Sequence, residues 1–143
     1  MEKIKLDIVT AEKLIYSEEV DSFIAPGING ELGILPNHAN LVTILDTGVL
    51  TITKNGEETD MAIAGGYLEV QPHSALLLAD AAERADDIDI ERAEAARARA
   101  EEAAKNVGSV DAQLAAEAAL KRSLTRLKVA KRRGNRTRKP AQG

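Results

Sequence analysis

Residues 87 to 100 read DIDIERAEAARARA, and the sequence changes its period at this stretch. The stretch contains five alanines and three arginines, but beyond Ile88 and Ile90 it has no large apolar side chain. Alanine has the highest intrinsic helix propensity, so the composition predicts a helix. Burial of a leucine-sized side chain contributes about 1.5–3 kcal/mol, and this helix offers few such side chains. We therefore expect a helix that is only weakly docked on the rest of the molecule.

Before this stretch the dominant period is two. The N-terminal MEKIKLDIVT alternates apolar with polar residues, which is typical of a strand with one buried face. Asn55-Gly56 separates two such segments and has the composition of a type I′ hairpin turn. Gly65-Gly66 interrupts another segment and predicts a kink or bulge. Short strands separated by Gly, Pro and Asn favour a β-sandwich or flattened barrel.

After Asp86 the apolar residues recur with a helical period. The pattern predicts a first helix over residues 88–105, capped by Asp86 or Asp87, and a turn around Gly108. A second helix is predicted over residues 111–132. Its apolar stripe consists of three leucines, Leu120, Leu124 and Leu127.

These periods divide the chain into three parts. Residues 1–86 are predicted to form an antiparallel β-sandwich, or flattened barrel, and residues 87–133 an antiparallel two-helix hairpin. The fold class is therefore α+β. Gly134 and Asn135 are expected to end the second helix, so that residues 134–143 form a basic, disordered tail.

Charge is unevenly distributed between these parts. Residues 1–86 contain 15 acidic and 5 basic residues, and residues 87–143 contain 8 acidic and 14 basic residues. The two parts therefore carry −10 and +6, which together give the net charge of −4. An acidic body with a basic end favours an anionic partner, or a contact of one part of the chain on the other.

The residues disfavour most kinds of chemical site. The chain has no cysteine, which excludes disulfides and thiolate metal sites. Residues 27–33, GINGELG, lack the Lys-Ser/Thr of a P-loop and are interpreted as turn glycines. His38 has no second histidine or carboxylate at metal-ligand spacing and is interpreted as a loop residue. We predict no catalytic residue and no metal site, because no nucleophile system or carboxylate pair is present.

The arginines are the strongest candidates for binding. Arg92 and Arg99 lie seven residues apart in the first predicted helix, and Arg122 and Arg126 lie four apart in the second. If the helices fold back on each other, the two pairs converge into a site for a polyanion. Solvated arginines on alanine-rich helices are the alternative. A nucleic-acid or polyanion binding module also stays open at this point, although the chain has few aromatic residues for base stacking.

Four segments resemble the epsilon subunits of F-type ATP synthases. IDIERA, residues 88–93, matches the I/L-D-x-x-R-A motif of that family. The segments GELGILPNHANL (30–41), AIAGGYLEV (62–70) and ALLLADAAERADDID (75–89) are similar to it as well, and they occur in the family's order. The resemblance extends to about Lys131. It implies an N-terminal β-sandwich followed by a two-helix hairpin, which is the division that the two periods predict.

The resemblance also implies a function. It implies a non-catalytic subunit of the central rotor stalk, whose sandwich binds the gamma subunit and the membrane c-ring and couples proton-driven rotation to ATP synthesis. The hairpin is expected to inhibit ATP hydrolysis when it extends toward the alpha/beta hexamer. No cofactor is required, and ATP is the expected regulatory ligand of the folded hairpin. The subunit is expected at the cytoplasmic face of the cell membrane, held there by the complex, with no nucleic-acid partner.

Roles for individual residues follow from the same resemblance. The positions that match the family's ATP site are Glu83, Ile88, Asp89, Arg92, Ala93, Arg99, Arg122 and Arg126. The expected contacts with gamma and the c-ring are Glu31, Gly33, Leu35 and His38. In the extended state, Lys121, Arg122, Arg126, Lys128 and Lys131 are expected to face the hexamer.

Overall fold

The computed structural model describes residues 2–106 and 108–138, and for residues 133–138 it describes the backbone alone. Eight strands come first: β1 (Ile4–Val9), β2 (Leu14–Val20), β3 (Ser22–Gly27), β4 (Gly30–Ile34), β5 (Leu41–Leu45), β6 (Gly48–Lys54), β7 (Glu57–Gln71) and β8 (Ser74–Arg84). A single 3₁₀ turn, Ala85–Asp87, leads to two helices, α1 (Ile90–Lys105) and α2 (Val110–Arg138). The predicted order of a β-sandwich followed by two helices is confirmed.

The strands pair around β7, which is 15 residues long. Its first half pairs with β6 and its second half with β5, and β8 pairs along most of its length. All described strand pairs are antiparallel except β1 with β8, which is parallel. The predicted antiparallel sandwich therefore needs a correction at this one pair. Parallel neighbours require a long connection, and the strands between β1 and β8 supply it.

The predicted turn at Asn55-Gly56 and the predicted kink at Gly65-Gly66 are both present. Asn55 and Gly56 have φ angles of 52° and 80°, as a type I′ hairpin requires. Gly65 and Gly66 have φ angles of 63° and 127°, and they lie where β7 leaves β6 and joins β5. A Cβ atom on residue 66 would lie 1.9 Å from the carbonyl oxygen of Leu78. Glycine is required there both for its positive φ and for its lack of a side chain.

The molecule has two apolar clusters of unequal size. The larger cluster contains 18 buried residues between Ile4 and Ala79, so it is made by the sandwich alone. The smaller cluster lies between the sandwich and the helices and consists of Ala62, Ala85, Ile88, Ala93, Leu127, Val129 and Ala130. Ile88, Leu127 and Val129 are its only large buried side chains, each worth about 1.5–3 kcal/mol. The helices therefore depend on a small buried surface, as the alanine-rich sequence suggested.

The helices begin where polar side chains cap them. Asp89 accepts a hydrogen bond from the backbone N–H of Arg92 at 3.2 Å, so α1 begins at Ile90. The expected caps, Asp86 and Asp87, instead belong to the preceding 3₁₀ turn. Ser109 caps α2 in the same way, because its Oγ accepts a hydrogen bond from the N–H of Ala112 at 3.1 Å.

The second helix is longer than predicted. It continues to Arg138, so residues 134–138 are helical and the helix does not end at Gly134 and Asn135 as predicted. Residues 139–143 lie outside the described part of the chain. One glycine costs a helix only about 1 kcal/mol relative to alanine, which does not end a helix of 29 residues.

The apolar stripe of α2 is also displaced from its predicted position. Leu127 is buried as expected, and Leu120 is partly buried. Leu124, however, is 48% exposed, and Ser123 is buried in its place. The hydroxyl of Ser123 is satisfied within the helix, because it donates a hydrogen bond to the carbonyl oxygen of Ala119. The contact face of α2 is therefore less apolar than the leucine spacing indicated.

The bend at Gly65-Gly66 gives a test of the sandwich. We expect Gly66→Ala to lower the free energy of unfolding by at least about 1–3 kcal/mol, because alanine is strained at this φ and its Cβ overlaps Leu78. Gly33→Ala is the control, since its added Cβ meets no atom within 4 Å. Urea unfolding followed by circular dichroism measures both variants. Equal losses in the two would contradict the role of residue 66.

Candidate functional site

A cleft of about 500 Å³ opens between α1, α2 and the end of β8. Most of its walls are alanines from all three elements: Ala81, Ala96, Ala100, Ala103, Ala116 and Ala119. Four charged side chains also line it, namely Glu83 from β8, Arg99 from α1, and Arg122 and Arg126 from α2. The antiparallel hairpin therefore brings Arg99 of the first predicted pair beside both arginines of the second, whereas Arg92 does not line the cleft.

The cleft has an excess of positive charge. The Nε atom of Arg126 lies 2.7 Å from Oε1 of Glu83, and both side chains are partly buried. Arg99 and Arg122 are exposed, and neither forms an ion pair with another described residue. Guanidinium groups bind phosphate through paired, charge-assisted hydrogen bonds. This arrangement favours a polyanion site over two pairs of unrelated solvated arginines.

The other four residues of the expected ATP site do not line this cleft. Ile88 and Ala93 are buried in the apolar cluster under the helices, and Asp89 caps α1. Arg92 is exposed in the first turn of α1. Three positions of the I-D-x-x-R-A motif thus have structural roles in this arrangement: Ile88 anchors the start of the hairpin, Asp89 begins the helix, and Ala93 permits close packing.

The residues expected to contact gamma and the c-ring lie at one edge of the sandwich. Among the described strands, β4 pairs only with β3, so it is an edge strand. Glu31 and Gly33 are exposed along β4, and Leu35, which is 63% exposed, follows its end. His38 is half-buried, and its Nδ1 lies 2.7 Å from the carbonyl oxygen of Ala39.

The basic residues expected to face the hexamer are divided in this structure. Lys121 donates a hydrogen bond to Oδ2 of Asp46 at 2.7 Å, and this bond is the main reason that the pKa of Asp46 lies below its usual value. Arg126 is paired with Glu83, as described above. Arg122, Lys128 and Lys131 are exposed. The contact of the basic end on the acidic body, which the charge asymmetry allowed, is thus present.

One contact between the two parts was not predicted. Nη1 of Arg132 lies 3.8 Å from Oδ2 of Asp60, whose side chain is only 1% exposed. The available signal was the lone acidic residue directly before the apolar run MAIA in β7. Sequence alone does not show which basic residue of a 29-residue helix lies above it.

An exposed apolar row on the sandwich was also not predicted. It consists of Leu14, Val9, Leu78, Tyr67 and Ile44, which are successive cross-strand partners in β2, β1, β8, β7 and β5. Apart from the half-buried Val9, its members are 45–58% exposed. Each residue is ordinary alone, and only the strand register aligns them. An exposed apolar row of this kind is a candidate surface for contact with another protein.

Arg84 fixes the sandwich side of the connection to the hairpin. Its Nη2 donates a hydrogen bond to the carbonyl oxygen of Ile15 at 2.6 Å, and its guanidinium lies 5.5 Å from the centre of the Tyr16 ring. Glu83, one residue earlier, contacts α2 instead. At the end of β8, Arg84 thus contacts the sandwich, whereas its neighbour Glu83 contacts the hairpin.

Two other features are absent from the described ranges. No group of three or more His, Cys, Asp or Glu residues is arranged there to hold a metal ion. No helix in those ranges combines the length and the apolar composition needed to cross a bilayer.

Two family models match nearly the whole chain. The family described as "ATP synthase, Delta/Epsilon chain, beta-sandwich domain" matches residues 3–85. The family described as "ATP synthase, Delta/Epsilon chain, long alpha-helix domain" matches residues 86–131, ending one residue before Arg132.

Individual relatives are similar over most of their length. The ATP synthase epsilon chain of Herpetosiphon aurantiacus is 50% identical over 133 residues, which cover 93% of this chain and 98% of that one. The epsilon chain of Dehalococcoides mccartyi is 52% identical over 135 residues, covering 93% and 96%. A chain in the cryo-EM structure of the Euglena gracilis mitochondrial ATP synthase has the same fold, with a TM-score of 0.75 at 22% identity, over 85% of this chain and 77% of that chain.

The cleft gives a test of anion binding. We expect Arg122→Ala to weaken binding of ATP by about 1.5–3 kcal/mol, because a charge-assisted hydrogen bond to phosphate is lost. Arg97→Ala is the matched control: it removes the same charge from α1, where Arg97 is paired with Glu94 and Glu101. Arg92→Ala, at an arginine that does not line the cleft, is expected to bind more tightly than Arg122→Ala. Calorimetric titration that shows the same affinity for all three variants would place the ligand elsewhere.

Proposed function

The chain belongs to the ATP synthase delta/epsilon chain family, and from this premise we propose that it is the non-catalytic epsilon chain of the central stalk. In this role it couples proton-driven rotation to ATP synthesis and restrains ATP hydrolysis through its hairpin. The observation that carries the proposal is the separation of two surfaces, the apolar row on the sandwich and the arginine cleft at the hairpin. A regulatory hairpin can then move while the sandwich stays attached to the rotor.

The apolar row is the proposed docking surface for gamma. The helices contact the sandwich at Asp46, Val49, Asp60 and Ala62, which precede the bend at Gly65-Gly66, and at Glu83, the cross-strand partner of Ala62. The row crosses β7 at Tyr67, beyond that bend. Burial of such side chains supplies the largest favourable contribution to most protein association. Gamma can therefore cover the row whether or not the hairpin is docked.

The edge formed by β4 and the turn after it is the proposed contact with the c-ring. Leu35 is an exposed apolar residue at this edge, and Glu31 and Gly33 of β4 are exposed beside it. Attachment through the c-ring would hold the subunit at the cytoplasmic face of the cell membrane. The chain's part in proton transport is accordingly indirect.

The hairpin is the proposed brake, and ATP is its proposed regulatory ligand. The docked state rests on three large buried side chains, so a modest free energy shifts it. A ligand at a hundredfold excess over its Kd adds about 2.7 kcal/mol, comparable to burying one of these side chains. ATP in the cleft would stabilise the docked hairpin through Arg99 and Arg122. Because Arg84 stays on the sandwich, movement begins after the end of β8.

A nucleic-acid binding module has less support. All three aromatic residues of the chain lie in the sandwich, so the helices have none for base stacking. Lys121, Arg126 and Arg132 face acidic groups of the sandwich, which compete with phosphates of a nucleic acid. A salt-dependent complex with duplex DNA at physiological ionic strength would reverse this preference.

Docking on gamma can be tested with the sandwich alone. Residues 1–86 contain the complete larger core, so we expect them to fold and to bind gamma. The double variant Ile44→Asp/Tyr67→Asp should weaken binding at least about tenfold, because two charges would be buried at the contact. Leu124→Asp in the full chain is the control, since it changes an equally exposed apolar residue on α2. Unchanged gamma binding by the double variant would exclude the row as the docking surface.

The brake can be tested in the assembled complex. We expect deletion of residues 87–143 to raise the rate of ATP hydrolysis, most strongly at low ATP, because the docked state is then least occupied. Replacing Lys121, Lys128 and Lys131 by alanine should weaken inhibition while leaving the arginine cleft intact. The measurement is hydrolysis rate against ATP concentration for the three forms. Superimposable curves would exclude the hairpin as a brake in this protein.

A further inference from the structure

A buried carboxylate lies where α2 meets the sandwich. The side chain of Asp60, in the first half of β7, is 1% exposed. Its Oδ1 accepts a hydrogen bond from Oγ1 of Thr51 at 2.8 Å, and Thr51 is its cross-strand partner in β6. Its Oδ2 faces Nη1 of Arg132 on α2 at 3.8 Å. This distance is within the range of an ion pair but beyond that of a hydrogen bond.

This contact differs physically from the exposed ion pair of Lys121 with Asp46. The side chains of Lys121 and Asp46 are 51% and 44% exposed, so water and salt screen their attraction. The Arg132 side chain is also 42% exposed, but Asp60 is removed from water, and a buried carboxylate is costly unless a cation compensates it. The docked hairpin supplies that cation through Arg132. Loss of the cation therefore raises the free energy of the docked state more than loss of a surface charge does.

We propose that Asp60 and Arg132 form a latch that holds the hairpin in its docked position. The proposal rests on the function given above, because it names a contact that sets the balance between the docked and extended hairpin. The latch acts separately from the proposed ligand, since neither residue lines the arginine cleft. It instead borders a second cleft of about 560 Å³ beneath α2, where Arg132, Lys128, Glu31 and Glu58 are the charged side chains.

Hydrogen exchange of the full-length chain without ATP tests the latch directly. Asp60→Asn keeps the side-chain shape and an oxygen for Thr51 but removes the charge. We expect the amides of α1 and α2 to exchange about tenfold faster or more, since a tenfold change needs only a small loss of docking energy. The amides of β1 to β8 should keep their protection. Glu19→Gln, an exposed residue of β2, is the matched control for the loss of one negative charge.

Arg132→Gln provides the second arm of the experiment. It should speed exchange of the helices in the same direction, and the double variant Asp60→Asn/Arg132→Gln should show less than the product of the two single effects. If Asp60→Asn also sped exchange of the strand amides, the result for Arg132→Gln alone would test the latch, because Arg132 lies outside the sandwich core. Unchanged helix exchange in Arg132→Gln, or independent effects of the two substitutions, would overturn the latch.

Hydrolysis by the assembled complex separates failure of the latch from failure of the brake. Asp60→Asn should lower the hydrolysis rate several-fold at equal ATP, because the extended hairpin becomes more populated. Deletion of residues 87–143 should remove this difference. Faster helix exchange in Asp60→Asn without any change in hydrolysis would keep the latch and reject the brake. Unchanged helix exchange would reject the latch whatever the hydrolysis rate.

Discussion

The small apolar contact between the hairpin and the sandwich is the constraint on which the rest of the structure depends. The sandwich buries 18 residues in a core of its own, whereas the helices share only Ile88, Leu127 and Val129 as large buried side chains. Because the helix contact is so small, ion pairs and a bound anion can change the fraction of molecules in which the hairpin is docked on the sandwich. In a large apolar interface the same interactions would have little effect on docking.

Alanine explains why the contact is weak and why a cleft is present. Ala93 and Ala100 let α1 approach its neighbours closely, but their burial contributes little. Ala100 and other alanines of α1 and α2 also line the cleft, and their short side chains leave space around Arg99 and Arg122. A helix built from leucines would have closed this space and fixed the hairpin. The same composition therefore produces weak docking and a place for an anion.

The sequence predicted those features that depend on neighbouring residues. The two-residue period, the Asn55-Gly56 turn and the alanine-rich helix are local, and the structure confirms all three. The resemblance to a known family predicted the whole architecture, a β-sandwich followed by a two-helix hairpin. The apolar row was missed because it depends on the register of five strands, which a single sequence does not specify. The end of α2 was misplaced because Gly134 costs less than a helix of this length gains.

The hairpin cannot leave the sandwich without breaking the ion pairs between α2 and the sandwich. In the docked state Lys121, Arg126 and Arg132 each face a carboxylate of the sandwich. A hairpin that leaves gives up these contacts at once, and its cations gain most from a new surface that is also acidic. The loss at Asp46 is small, because that pair is exposed and screened. The loss at Asp60 is larger and depends less on salt, because its carboxylate is buried. The preference of the hairpin for the docked position therefore depends most on Asp60, which is the one buried carboxylate among the described residues.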